Sequence, residues 1–200
     1  MKICVVSNST SKRTDYFIKA GRSLGADTCF VTYDELMATL PEYRDTVVKL
    51  EPPVFQETDF RKYNSICRDY REMLRRLAAV DRPEGVHFLN EPSAILCALD
   101  KVRTQQKLAG AGLKTTPLLS AALRTFDELA ELLYRQKRGG FLKPRYGSGA
   151  GGVMAVRYNH RRDEWVAYTT MRWAGDHACN EKRICRLTNR KEIAVLAEEV

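Results

Sequence analysis

Apolar positions in the first ninety residues switch repeatedly between two spacings. Residues 2–8 open with Ile3-Cys4-Val5-Val6, a short dense run of strand length. Residues 15–24 follow helical spacing and end at Gly25, a natural helix stop. A second strand is predicted over 28–32, a short helix over 34–40, and a third strand over 47–50, closed by Pro52-Pro53. A long helix follows Thr58, with Phe60, Tyr63, Cys67, Tyr70, Leu74 and Leu77 along one stripe. Residues 86–89 read as another strand. This alternation predicts an α/β domain over residues 1–92, a Rossmann-like open sheet of parallel strands.

After Asn90-Glu91-Pro92 the pattern changes, and residues 93–200 are predicted to form an α+β domain. Residues 93–99 and 101–111 read as helix, ended by Gly110 and Gly112. Residues 118–123 look like a strand. Thr125-Phe126-Asp127-Glu128 is a capping box for a helix running to about Lys137. A short strand, Phe141-Leu142-Lys143-Pro144, leads into a glycine-rich stretch. A strand over 153–158 and a hairpin to residues 165–170 follow. The last helix, 189–200, ends at Glu198-Glu199-Val200, with neither glycine nor basic residues at its negative end. That ending leads us to expect that the natural chain continues.

Charge changes this picture most. Residues 1–99 carry 14 Lys+Arg and 14 Asp+Glu, whereas residues 100–200 carry 19 and 11, so the whole excess of +8 lies in the second half. A basic half calls for an anionic partner. No apolar stretch is long enough to span a membrane, and the N-terminus lacks the features of a signal peptide. The six cysteines form no CxxC pair and four lie in apolar runs, which fits buried reduced thiols in a cytoplasmic protein. Zinc ligation by Cys179, Cys185 and His177 would match no standard spacing.

The glycine-rich stretch is Gly147, Ser148, Gly149, Ala150, Gly151 and Gly152. It satisfies GxGxxG, but a Rossmann loop or a P-loop runs into a helix, and here a strand follows. The first strand is no better a dinucleotide site, because its turn, Ser7-Asn8-Ser9-Thr10-Ser11, has no glycine. The glycine loop is therefore predicted to join two strands and to fold over phosphates as a flap, its bare amides approaching the oxygens. Lys143 stands just upstream of it. Lys101 lies about forty residues earlier, at the start of its own helix.

Asp100-Lys101, then Leu108 and Gly110-Ala111-Gly112-Leu113, then Pro117, then Phe141-Leu142-Lys143-Pro144 and the flap together resemble the ATP-grasp family. D-Ala–D-Ala ligase and the ribosomal-protein glutamate ligases belong to it. The resemblance covers roughly residues 86–158, and the α/β segment before it is similar to the domain that precedes the grasp. It implies that Lys101, Lys143 and residues 147–152 bind ATP phosphates. It also implies that the parent protein activates a small-molecule or peptide carboxylate as an acyl phosphate for attack by an amine or other nucleophile, with Mg2+ bridging the phosphates. The family's metal ligands lie on a second lobe that has no counterpart in these 200 residues, so no catalytic or metal-binding residue is expected here and the chain alone should be inactive. Residues 7–11 and 55–60 are candidates to line the carboxylate pocket.

Two alternatives stay open. One is a nucleic-acid-binding module built on the basic excess, with Tyr146, Tyr158, Trp165 and Trp173 interleaved. The other is a non-catalytic nucleotide-binding scaffold. ATP is the favoured partner and nucleic acid the lesser one. No membrane partner is expected, and homo-oligomerisation is left open.

Overall fold

The dense run in residues 3–6 becomes the middle of a parallel sheet. In the computed structural model, which describes residues 2–55, 59–147 and 149–200 (Lys182 by its backbone alone), β1 (Lys2–Ser7), β2 (Asp27–Thr32), β3 (Thr46–Leu50) and β4 (Val86–Phe88) pair in the order β2-β1-β3-β4. Every pairing is parallel. The central strands are covered on both faces, so Cys4, Val5, Val6 and Val48 are fully buried. Double coverage is why those strands read as continuous apolar runs rather than alternating ones. Burial pushes the Cys4 thiol up to about 12, and all six cysteines are free thiols.

The helices on this sheet begin where side chains can cap them. Helix α1 (Lys12–Ser23) starts ahead of the predicted residue 15, because Ser11 and Thr14 close a reciprocal box: Ser11 N–H donates to Thr14 Oγ1 (2.7 Å) and Thr14 N–H to Ser11 Oγ (3.3 Å). Helix α2 is Tyr33–Thr39, followed by a 3-10 turn at Leu40–Glu42. The long helix α3 spans Phe60–Ala79, and all six stripe residues read from the sequence are buried. Helix α4 is Pro92–Leu99. By internal packing the chain divides into two units, Met1–Gln56 with Ile66–Ala98, and Glu57–Ser65 with Leu99–Val200.

The second unit is built on an antiparallel sheet, β5 (Gly140–Leu142), β6 (Met154–Asn159), β7 (Glu164–Ala174) and β8 (His177–Leu187), in chain order. Its helices are α5 (Lys101–Gly110), α6 (Phe126–Gln136) and α7 (Arg190–Glu198). Along β7 the period-2 alternation buries Trp165, Ala167, Thr169 and Met171. Helices α6 and α7 pack on this sheet and bury Phe126, Leu129, Leu133, Ile193 and Leu196. The other face of the sheet stays open.

Two sequence expectations are corrected. Residues 118–123 form no strand. Ser120 Oγ donates to the Ala122 carbonyl (2.7 Å) and accepts from the Ala122 amide (3.3 Å), and such local bonds compete with a ladder. Conversely, β8 was not anticipated. It is an edge strand carrying Glu181, Lys182, Arg183 and Arg186, so its apolar pattern is weak. The legible signal was Gly175-Asp176 between paired Ala174 and His177, with Gly175 at φ 68° as a two-residue hairpin turn demands.

Because Leu74 is fully buried on α3, Leu74→Ala should cost about 2–5 kcal/mol, read as a lowered urea midpoint. A cost below about 1 kcal/mol would contradict the packing described.

Candidate functional site

The second unit brings the Asp100-Lys101 pair to the end of β5. Asp100 caps α5 by accepting from the Arg103 amide (3.1 Å). Its carboxylate also receives Arg145 in bidentate fashion, Nε to Oδ1 at 3.0 Å and Nη2 to Oδ2 at 2.8 Å. The Arg145 guanidinium holds the Asp100 carboxyl down at about 2, against the opposing effect of burial. The Lys101 amide donates to the Arg145 carbonyl (3.1 Å). Lys101 Nζ donates to the carbonyls of Pro144 and Gly147, both at 3.0 Å. Lys101 therefore meets the glycine loop at its base, through backbone oxygens.

The loop then packs on two aromatic rings. Phe60 and Tyr63, one turn apart at the start of α3, stack with centroids 5.4 Å apart and planes 10° apart. A Cβ on Gly147 would lie 2.7 Å from Tyr63 Oη, one on Gly151 2.6 Å from Tyr63 Cζ, and one on Gly152 2.4 Å from Phe60 Cζ. Gly147 and Gly152 also have positive φ, 128° and 69°, which glycine alone adopts without strain. The Gly152 amide donates to Asn180 Oδ1 (3.2 Å), which also accepts from Thr170 Oγ1 (2.8 Å). At the tip, Gly149 and Ala150 are exposed, and nothing lies within 4 Å of a Cβ placed on Gly149. Ser148 lies outside the described residues. The loop thus has an anchored base and an open tip.

Lys143 is exposed and its ammonium lies 5.4 Å from the Phe141 ring centroid, a cation–π contact. Among the described residues it has no carboxylate partner. Register places Phe141, Ala155, Tyr168 and Arg186 in one row across the open face of the sheet. Phe141 is 71% and Tyr168 49% exposed. An apolar, partly aromatic floor with cations at its margin suits a planar anionic ligand.

Sequence reasoning did not single out Tyr63 or Asn180 as site residues; it took Phe60 as a candidate lining of the carboxylate pocket, and Arg145 as either a phosphate contact beside Lys143 or a solvent-facing charge, whereas Arg145 pairs with Asp100. The stripe on α3 correctly marked Phe60 and Tyr63 as buried, but nothing in it pointed to the glycine loop as the cover. Asn180 lies on the unanticipated strand. Phe60, fully buried beneath Gly152, does not line an open pocket, and Gln56, Glu57 and Thr58 lie outside the described residues. The turn 7–11 commits most of its polar groups to structure: Ser7 Oγ donates to the Pro52 carbonyl, and the Asn8 amide pairs with the Val54 backbone in both directions, while Ser9 Oγ is buried without a hydrogen-bond partner among the described residues. The hypothetical zinc ligands are spread along β8, where six residues separate Cys179 from Cys185 by about 20 Å at a strand's rise. Among the described residues no group of three or more His, Cys, Asp or Glu is placed to hold a metal ion.

The aromatics read as a nucleic-acid surface do not form one platform. Trp165 is buried and stacked with Tyr158 at 4.7 Å. Trp173 lies eight residues further along β7, about 26 Å away along a strand. A scan against protein-family models finds no match to the chain, and a search of curated proteins finds none either. No helix among the described residues is long and apolar enough to cross a membrane.

Asp100 supplies the test of this geometry. Its folded-state carboxyl lies near 2, below the ordinary value of about 3.9. A lowered folded value stabilises the native state above the unfolded value, and that stability is lost as pH falls from about 4 through about 2. The wild-type denaturation midpoint should therefore fall more steeply across this window than that of Asp100→Asn, which carries no such titration. Parallel curves would refute the pairing.

Proposed function

We propose that the second unit binds the phosphates of ATP, and that the parent protein is an ATP-grasp ligase activating a carboxylate as an acyl phosphate for attack by an amine or other nucleophile. One observation carries this reading: Lys143, exposed and without a carboxylate partner among the described residues, stands two residues before Arg145 at the root of a glycine loop whose base is fixed and whose tip is open. Lys143 is the point charge that meets phosphate oxygens. The amides of Gly149 and Ala150 at the tip are the flap's donors. The adenine ring of ATP rests against the open face bearing Phe141 and Tyr168, since aromatic rings stack on purines whatever their substituents.

Lys101 contributes differently from Lys143. With its ammonium held by two loop carbonyls, it fixes the flap's root and adds positive potential there. Magnesium, which the ligase reading requires, finds no carboxylate cluster among the described residues, and the chain's own part is to bind and orient the nucleotide. The basic excess of residues 100–200 is the long-range counterpart of that role.

Lys143→Ala separates binding from folding. Lys143 is exposed, so its removal should change stability by no more than about 0.5 kcal/mol. A hydrogen bond to a charged group contributes about 1.5–3 kcal/mol, which corresponds to a loss of about ten- to hundredfold in ATP affinity, measured by calorimetric titration. A wild-type chain with no ATP affinity, or a variant that binds ATP as tightly as wild type, would sink the reading. In the parent protein, replacing both Lys101 and Lys143 with Ala should abolish ATP turnover.

A further inference from the structure

We propose that Phe60 and Tyr63 are positioning residues that hold the glycine loop in its binding geometry, an inference that rests on the phosphate-binding reading and extends it to side chains with no direct part in binding phosphate. Both rings are buried, Phe60 completely and Tyr63 to within 5% exposure. They stack on each other, and three of the loop's glycines lie against them closer than any side chain would allow. Backbone packed this close to buried rings leaves the peptide planes little room to rotate. The rings therefore act on the loop's root, together with Lys101 below Gly147 and Asn180 at Gly152. Among the described residues the tip meets no ring: Gly149 has open space around it, and Ala150 is held only by its carbonyl accepting from the Val153 amide (3.3 Å), so its amides face outward to a ligand.

The consequence for binding follows from ordering entropy. Fixing a residue's backbone costs roughly 1–2 kcal/mol. A loop already held at Gly147, Gly151 and Gly152 needs only its tip ordered when the nucleotide arrives, and preorganisation of this kind raises affinity by reducing that cost. The glycines are thus demanded for two different reasons: Gly147, Gly151 and Gly152 by the rings, and Gly149 by its φ of 66° at the open tip. Gly151 is the informative one. Its φ is not positive, so alanine is sterically allowed by the backbone there, and the three nearest atoms its Cβ would meet, at 2.6–2.8 Å, all belong to Tyr63.

The test uses the whole chain and two independent readouts, amide exchange over residues 147–152 without nucleotide and the Kd for ATP. Tyr63→Ala should speed exchange in the loop and weaken ATP binding about tenfold, the loss expected from about one residue's ordering cost. Gly151→Ala should do the same in the wild-type background and add nothing in the Tyr63→Ala background, where its Cβ no longer meets a ring. Loop exchange at the wild-type rate in Tyr63→Ala, or effects of the two substitutions that add in full, would overturn the proposal. Should Tyr63→Ala lose its far-UV circular dichroism, Tyr63→Leu keeps apolar bulk without the flat ring and serves in its place. A wild-type chain that binds no ATP would overturn the nucleotide reading alone, while the exchange rates would still decide whether the rings hold the loop.

Discussion

The second unit depends on the pairing of Asp100 with Arg145. A single buried carboxylate caps the first turn of α5 and accepts both arms of a guanidinium at the end of β5. Neither partner is interchangeable with a neutral or flexible residue, because a planar fork meeting a carboxylate fixes orientation as well as distance. The pairing delivers the next residue in each segment to the other: Lys101 reaches Pro144 and Gly147, and Arg145 offers its carbonyl to Lys101. The root of the glycine loop is thereby stitched to a helix at four points. With Arg145 about half exposed, the ion pair serves geometry more than it adds stability.

That stitching changes what the lysines mean. Two lysines near a glycine loop read as two phosphate contacts. In the structure they differ in kind. Lys101 donates to two loop carbonyls and holds backbone, whereas Lys143 faces solvent over Phe141. The glycines likewise have two justifications. Three lie so close to Phe60 and Tyr63 that packing alone requires them, and only the tip is left to be explained by a ligand. The glycine-rich motif thus meets a steric demand from below, to which the phosphate contacts proposed above would add a chemical one.

The contrast with the first unit is instructive. Its sheet ends in a polar turn of the kind that often meets ligands in such folds. Here Ser7, Asn8, Ser11 and Thr14 are consumed by Pro52, Val54 and the cap of α1. Ser9 Oγ alone of that turn is left buried and unpartnered among the described residues. The antiparallel sheet differs in having helices on one face and exposed Phe141, Tyr168 and Arg186 on the other. An antiparallel sheet can leave one face open in this way, whereas a parallel one is covered on both.

By itself the sequence determined the elements whose signals are local. Dense apolar runs marked β1 to β4, the stripe from Phe60 to Leu77 marked α3, and Thr125 with Glu128 marked the start of α6. Each of these rests on neighbours within one or two turns, so period and capping chemistry suffice. The position of Lys101, Lys143 and the glycine loop between strands was legible for the same reason. Only the tertiary structure decided that residues 118–123 turn on Ser120, that a charged stretch becomes the edge strand β8, and that Lys101, Asn180, Phe60 and Tyr63 converge on one loop. Those outcomes depend on residues tens of positions apart meeting in space, where packing and charge pairing, not local propensity, select the partner.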